Sequence, residues 1–140
     1  MKRLLIMFII VFSIIFASSV NAGGLFKGLY FIGLWQGTDP FDGSEVLRSI
    51  TKNSDGSFDI IGSEPYTSGC DGERGKITAT GVLEAGVIVS SDFTLTCYNG
   101  LGPFTGSVLE YAPDRFNRTL LEVYQGEAEF PPVILHRISK

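Results

Sequence analysis

Side chains able to do chemistry are few in this sequence of 140 residues. His136 is the only histidine, so any triad of nucleophile, histidine and carboxylate would have to include it. Asp39, Asp42 and Glu45 could supply oxygen ligands for Ca²⁺ or a carboxylate pair for glycoside hydrolysis. The segment that holds the two aspartates, Asp-Pro-Phe-Asp-Gly, is equally a run of turn-forming residues. We interpret it as a turn and predict no catalytic, metal or cofactor site, which makes an enzyme the least favoured function.

The first 22 residues are typical of a secretory signal peptide. A basic start, Met1-Lys2-Arg3, precedes an almost unbroken apolar run from Leu4 to Phe16. Small residues then lead to a cleavage pattern, Val20-x-Ala22. The alternative is an uncleaved membrane anchor, because the apolar stretch is near the lower limit for spanning a bilayer. We predict cleavage after residue 22 and a single secreted or periplasmic domain over residues 23–140.

The two cysteines agree with that compartment, and the charge bears on which partners the protein could bind. Cys70 and Cys97 are the only cysteines, and an oxidising environment favours their pairing as a structural disulfide. Removing Lys2 and Arg3 from the 11 basic residues leaves 9 against 15 acidic ones, a net charge of −6. This balance argues against nucleic-acid binding, which needs clustered lysine and arginine. No segment after the leader is apolar enough to cross a membrane.

Short apolar or β-branched runs, separated by Gly, Asn, Asp and Pro, fill the rest of the chain, and none shows helical periodicity. The link from Ser63 to Gly75 is expected to be long and irregular, whereas most other links carry hairpin-turn residues. The pattern therefore predicts an all-β antiparallel meander of eight strands, at Leu34–Thr38, Glu45–Lys52, Ser57–Gly62, Lys76–Leu83, Val87–Cys97, Phe104–Tyr111, Thr119–Tyr124 and Val133–Ile138.

Alternation of residue types indicates which faces are buried. In the fifth run Phe93, Leu95 and Cys97 share one face, opposite polar residues. The last run has apolar residues on both faces, including Ile134 and Ile138, which predicts a strand covered on both sides for part of its length. An open sheet would leave two edges exposed, and closure into a barrel removes them. A sandwich of two sheets is the alternative.

Gly33-Leu34-Trp35 opens the first run, and Arg137 lies in the last. A Gly-x-Trp motif on the first strand, with a basic residue on the last, resembles the pattern of lipocalins and the wider calycin superfamily. The resemblance implies a closed eight-stranded barrel in which Trp35 plugs one end and Arg137 stacks across the indole, a barrel-closing structural pair. The stretch from Trp35 to Arg137 also resembles a group of small exported bacterial proteins.

Nitrobindin-like haem barrels are similar in one further respect. They share a Gly-x-Trp-x-Gly start, here Gly33 to Gly37, and carry a haem-ligating histidine near the C-terminus, for which His136 is the candidate. Thr38-Asp39-Pro40 stands where further glycines would follow in that family. We therefore expect His136 to be an exposed or hydrogen-bonded strand residue and predict no cofactor.

Two functions of different classes remain. The favoured one is binding of a small apolar ligand in the barrel lumen or mouth, where small strand residues would leave room: Gly62, Ala79, Gly81, Ser90 and Gly106. The alternative is an interaction or inhibitor protein that binds another macromolecule through loops at the barrel end. Its anchors would be exposed aromatic residues: Phe41, Tyr66, Tyr98 and Phe130.

Overall fold

The computed structural model describes residues 28–114, 118–125 and 131–140. The predicted signal peptide, residues 1–22, lies outside the described residues. The chain divides into two units, Met1–Tyr30 and Phe31–Lys140. Of the first unit the structure describes one turn of 3-10 helix, Gly28–Tyr30. A single domain over residues 23–140 stays a prediction.

The second unit is a closed barrel of eight antiparallel strands joined in sequence order. The strand β1 pairs with both β2 and β8, and these two pairings close the sheet. The predicted all-β meander is confirmed, and closure rules out the two-sheet sandwich. The strands are β1 (Gly33–Thr38), β2 (Glu45–Lys52), β3 (Phe58–Thr67), β4 (Glu73–Glu84), β5 (Val87–Cys97), β6 (Phe104–Pro113), β7 (Thr119–Tyr124) and β8 (Val133–Ser139).

The predicted irregular link between the third and fourth strands is wrong. The strands β3 and β4 continue into it from both sides, and only residues 68–72, which begin with the 3-10 turn Ser68–Cys70, separate them. Pro65 lies within β3, although proline lacks the backbone N–H that a regular strand pairing uses. It lies where the pairing of β3 with β4 shifts register, between Glu64 and Thr67, so the regular ladder is already interrupted there.

Aromatic side chains fill one end of the barrel, which we call the closed end. At the closed end, where β1 starts and β2 ends, Trp35 is fully buried and its Nε1 donates a hydrogen bond to the carbonyl oxygen of Phe31 at 2.8 Å. The ring of Phe58 meets that of Phe31 edge-on, with centroids 6.2 Å apart. Arg137 lies over the indole, its Cζ 4.5 Å from the ring centroid. The structure thus contains the contact that the resemblance implies, while its role in closing the barrel stays a prediction.

The outer face of β8 is more open than expected. Ile134 and Ile138 point away from the core, and each exposes about half of its surface (51%). The expectation of a last strand covered on both sides is therefore wrong. The inward residues of the same strand, Val133 and Leu135, are buried.

Candidate functional site

An arginine lies in the middle of the barrel interior. Val46, Arg48 and Ile50 alternate along the inward face of β2, and all three are fully buried. Gly62 of β3 is paired directly with Arg48. A Cβ at position 62 would lie 2.8 Å from Nη1 of Arg48 and 3.0 Å from Cβ of Ile77, so any larger residue there would have to displace the guanidinium.

Two carboxylates share this guanidinium. Glu122 of β7 forms a bidentate (two-pronged) ion pair with Arg48. Nε of Arg48 donates to Oε2 at 2.6 Å, and Nη2 donates to Oε1 at 2.7 Å. Glu64 of β3 accepts from Nη2 through Oε1 at 2.6 Å. The third nitrogen, Nη1, donates to the backbone carbonyl of Leu47 at 3.0 Å. Paired, planar contacts of this kind are among the stronger hydrogen bonds of proteins.

Two tyrosines complete the arrangement around Glu122. Tyr111 donates its hydroxyl to Oε2 at 2.7 Å, and Tyr124 donates to Oε1 at 2.6 Å. The buried carboxylate of Glu122 therefore accepts four hydrogen bonds, two of them from Arg48. A buried ion pair is costly unless its polar atoms are hydrogen-bonded, and both carboxylate oxygens of Glu122 are. We call Arg48, Glu64, Tyr111, Glu122 and Tyr124 the polar cluster.

The surroundings shift the pKa values of the two carboxyls of the polar cluster in opposite directions. Burial alone would raise the pKa of Glu122, but the charge and hydrogen bonds of Arg48 outweigh it and hold that pKa below its usual value. Burial raises the pKa of Glu64 despite the attraction of Arg48. Burial and the charge of Glu122 also raise the pKa of both Tyr111 and Tyr124, so both donate as neutral phenols. Glu64 is thus the carboxyl of the cluster that takes up a proton first as the pH falls.

A cavity of about 540 Å³ lies above the polar cluster at the open end, where β1 ends and β2 starts. Glu64 and Tyr124 face it from the polar cluster, and apolar side chains of three strands contribute walls: Ile77, Phe93, Leu95 and Val133. The ring of Phe93 meets that of Tyr124 edge-on at a centroid distance of 5.2 Å. The cavity therefore combines apolar walls with a polar floor.

Small strand residues do not create this cavity in the way the sequence suggested. The space beside Gly62 is filled by Arg48, and a Cβ on Gly81 would lie 2.6 Å from Cγ2 of Ile88. The ring of Phe93 covers Gly106. The expectation of open space is wrong for Gly62 and Gly81, because large side chains fill the space beside them, whereas Gly106 does line the cavity.

The predicted disulfide between Cys70 and Cys97 is confirmed and lies at the open end. It joins the turn after β3 to the last residue of β5, with the two Cα atoms 5.5 Å apart. Asn99 adds a hydrogen bond from Nδ2 to the carbonyl oxygen of Cys70 at 2.9 Å. Two chain connections beside the cavity are therefore tied together.

The acidic residues Asp39, Asp42 and Glu45 do not come together as a ligand set. Each accepts a local hydrogen bond, from Phe41 N at 2.7 Å, from Ser44 N at 2.9 Å and from Gln36 Nε2 at 2.7 Å, respectively. Within the described ranges no three His, Cys, Asp or Glu side chains are grouped so that they could hold a metal ion. Asp39 also reaches the cavity lining.

His136 lies on the outer face of β8, exposed and paired across the ladder with Gln36. It is not among the residues of the cavity lining. As the sole histidine of the sequence faces outward, the barrel interior offers no imidazole for haem ligation.

Sequence reasoning missed the polar cluster. Its signal was present as a charged residue within an inward apolar alternation, Val46-x-Arg48-x-Ile50 on β2 and Leu120-x-Glu122 on β7. Charged side chains at such positions are rarely buried without partners. What alternation does not give is which partners they meet.

No family model matches this sequence, and no curated protein matches it either. The closed eight-stranded antiparallel meander is consistent with the calycin-like fold that the resemblance implied. The fold alone carries no specific activity, since one barrel architecture hosts many functions.

Among the residues that the structure describes, no helix is long and apolar enough to span a bilayer.

Proposed function

We propose that this protein is an exported, lipocalin-like barrel that binds a small, largely apolar ligand in the cavity at its open end. The observation that carries the proposal is a cavity of about 540 Å³ with apolar walls above the polar cluster. Pockets for small molecules typically measure about 300–1,000 Å³ and combine apolar walls with a few fixed polar groups.

Rigidity of the site supports binding. The two-pronged pairing of Arg48 with Glu122 fixes the floor, and the disulfide between Cys70 and Cys97 fixes two chain connections beside the mouth. A preformed site avoids much of the free-energy cost of ordering side chains and loops when a ligand binds.

Export is supported by two independent features. The first 22 residues have the composition of a secretory leader. The disulfide between Cys70 and Cys97 is of the kind that persists in oxidising compartments and is rare in the cytosol. We therefore place the protein in the periplasm or outside the cell.

Binding of the neutral apolar fluorophore N-phenyl-1-naphthylamine tests the proposal. We expect saturable fluorescence enhancement with the unsubstituted protein and its loss in Leu95→Trp, which fills the cavity from β5. Thr96→Trp is the matched control, because Thr96 is the next residue of the strand and is exposed on the outer face. Absence of enhancement, or equal enhancement in both variants, would contradict binding in this cavity.

Exposed aromatic residues at the open end favour a second candidate, binding of another macromolecule. Phe41 and Tyr98 expose 64% and 69% of their surface, and Tyr66 and Phe104 expose nearly half. Phe130, a further predicted anchor, lies outside the described residues. Native mass spectrometry of protein isolated from its own host separates the candidates, since a retained small molecule supports the first and a retained macromolecule the second.

A further inference from the structure

Glu64 is the charged member of the polar cluster that also lines the cavity. The residue is 5% exposed, and its Oε1 accepts the hydrogen bond from Arg48. Among the residues that the structure describes, none donates a hydrogen bond to its second oxygen, Oε2. Because Glu64 lines the cavity, its carboxylate offers a strong hydrogen-bond acceptor on the cavity floor.

The charges around the cavity are unbalanced. Arg48 is the one cation of the polar cluster, and it faces two carboxylates, Glu64 and Glu122. Glu122 accepts two hydrogen bonds from the guanidinium of Arg48, whereas Glu64 accepts one. Asp39 adds a further acidic group at the mouth, and the described lining includes no lysine, arginine or histidine.

We propose that the cavity selects an amphiphilic cation, an ammonium group on a hydrocarbon or aromatic body. The ammonium would lie against Oε2 of Glu64, and the body would pack on the apolar walls. This inference rests on the proposed ligand-binding function and names the class of ligand.

The walls suit such a molecule. Phe93 and Tyr124 meet edge-on and line the cavity together with Glu64, and aromatic faces attract organic cations. Ile77 and Leu95 offer apolar surface for the body. A carboxylate ligand of the same length would instead bring its charge towards Glu64 and Asp39, so a fatty-acid anion is disfavoured.

Three ligands with the same eight-carbon chain test the inference: octylammonium, octanol and octanoate, measured by isothermal titration calorimetry. We expect octylammonium to bind at least about tenfold more tightly than octanol, because a charge-assisted hydrogen bond replaces a neutral one. Octanoate should bind most weakly. Glu64→Gln keeps an acceptor for Arg48 and removes the charge, so it should abolish the preference for octylammonium over octanol.

Glu84→Gln is the matched control, since Glu84 is exposed at the end of β4, away from the cavity. It should retain the preference. If none of the three ligands binds, the ligand-binding function itself fails. If octanol or octanoate binds as tightly as octylammonium, or if Glu64→Gln keeps the preference, the inference about cations is wrong while ligand binding stands. Should Glu64→Gln fail to fold, the ranking of the three ligands on the unsubstituted protein decides.

Discussion

Two arginines of the barrel, Arg137 and Arg48, are held in contrasting ways. Arg137 lies at the closed end, half-buried over the fully buried indole of Trp35. Arg48 lies fully buried beneath the cavity and is bonded to Glu64, Glu122 and Tyr124. Only the guanidinium of Arg48 has lost all contact with solvent.

This contrast shows how burial determines what must surround a charge. A partly exposed guanidinium keeps some hydration and packs favourably on an aromatic face. A fully buried one requires anionic partners with good hydrogen-bond geometry. The carboxylates that stabilise Arg48 also reach the cavity through Glu64, so the same atoms serve the fold and give the open end its acidic floor.

The sharpest way to break the comparison is to remove each guanidinium in turn. Arg48→Met leaves two carboxylates inside the barrel without a cationic partner. It should therefore lower the free energy of unfolding by about 4–5 kcal/mol. Arg137→Met removes a half-buried guanidinium that stacks on the indole beside solvent, and it should cost less, about 1 kcal/mol. Urea unfolding followed by circular dichroism measures both.

A double variant provides the control for that experiment. Arg48→Met combined with Glu122→Leu removes one of the two carboxylates that have lost their cationic partner. The double variant should therefore recover part of the lost stability. Equal losses for Arg48→Met and Arg137→Met would mean that burial does not distinguish the two sites.

Removing the disulfide sharpens the contrast between the ends, since the open end relies on a cross-link. Cys70→Ser with Cys97→Ser should lower the free energy of unfolding by about 3–4 kcal/mol, because the unfolded chain regains the entropy of a closed loop. Chemical denaturation with and without reductant measures the loss. Reductant should destabilise the unsubstituted protein and leave the double variant unchanged, and a response in the double variant would be evidence against this explanation.

A methyl group at Gly62 probes the tight fit of Arg48. Gly62→Ala should cost about 1–3 kcal/mol, because its Cβ would press on the guanidinium and on Ile77. In the Arg48→Met background the cost should be smaller, since one of the two crowded neighbours is gone. Identical costs in both backgrounds would show that Arg48 is not the group displaced.

The pH dependence of stability tests the difference in pKa between Glu64 and Glu122. It gives the smallest expected effect. The folded-state pKa of Glu64 is raised, so the folded protein gains stability as the pH falls through that pKa towards the usual value of 4.5. The folded-state pKa of Glu122 is lowered, so its contribution is lost as the pH falls further, below 4.5. Urea unfolding across this range should show the gain in the unsubstituted protein and not in Glu64→Gln. The gain persisting in Glu64→Gln would assign it to another group.

Local pattern was sufficient for most of the fold. Alternation and turn residues located β2, β5 and β7 at their observed bounds, and the need to satisfy sheet edges predicted closure. The contact between Trp35 and Arg137 came from resemblance rather than from the pattern itself. The extension of β3 past Gly62 was missed because strand pairing overrides the turn-like composition of that segment.

The polar cluster was beyond local pattern for a physical reason. Arg48 and Glu122 are 74 residues apart, and their contact depends on how the strands stagger when the barrel closes. The inward position of each was readable from its own strand. Whether two inward charges lie at the same height in the lumen is fixed by the register of every strand between them.

The missing side chain at Gly62 also constrains how this barrel can diverge. Any descendant with a larger residue at position 62 needs a shorter one at position 48, and loss of that arginine leaves an acid at position 122 without a counter-ion. The three positions should therefore change together in related chains, inherited as a unit although they lie on separate strands.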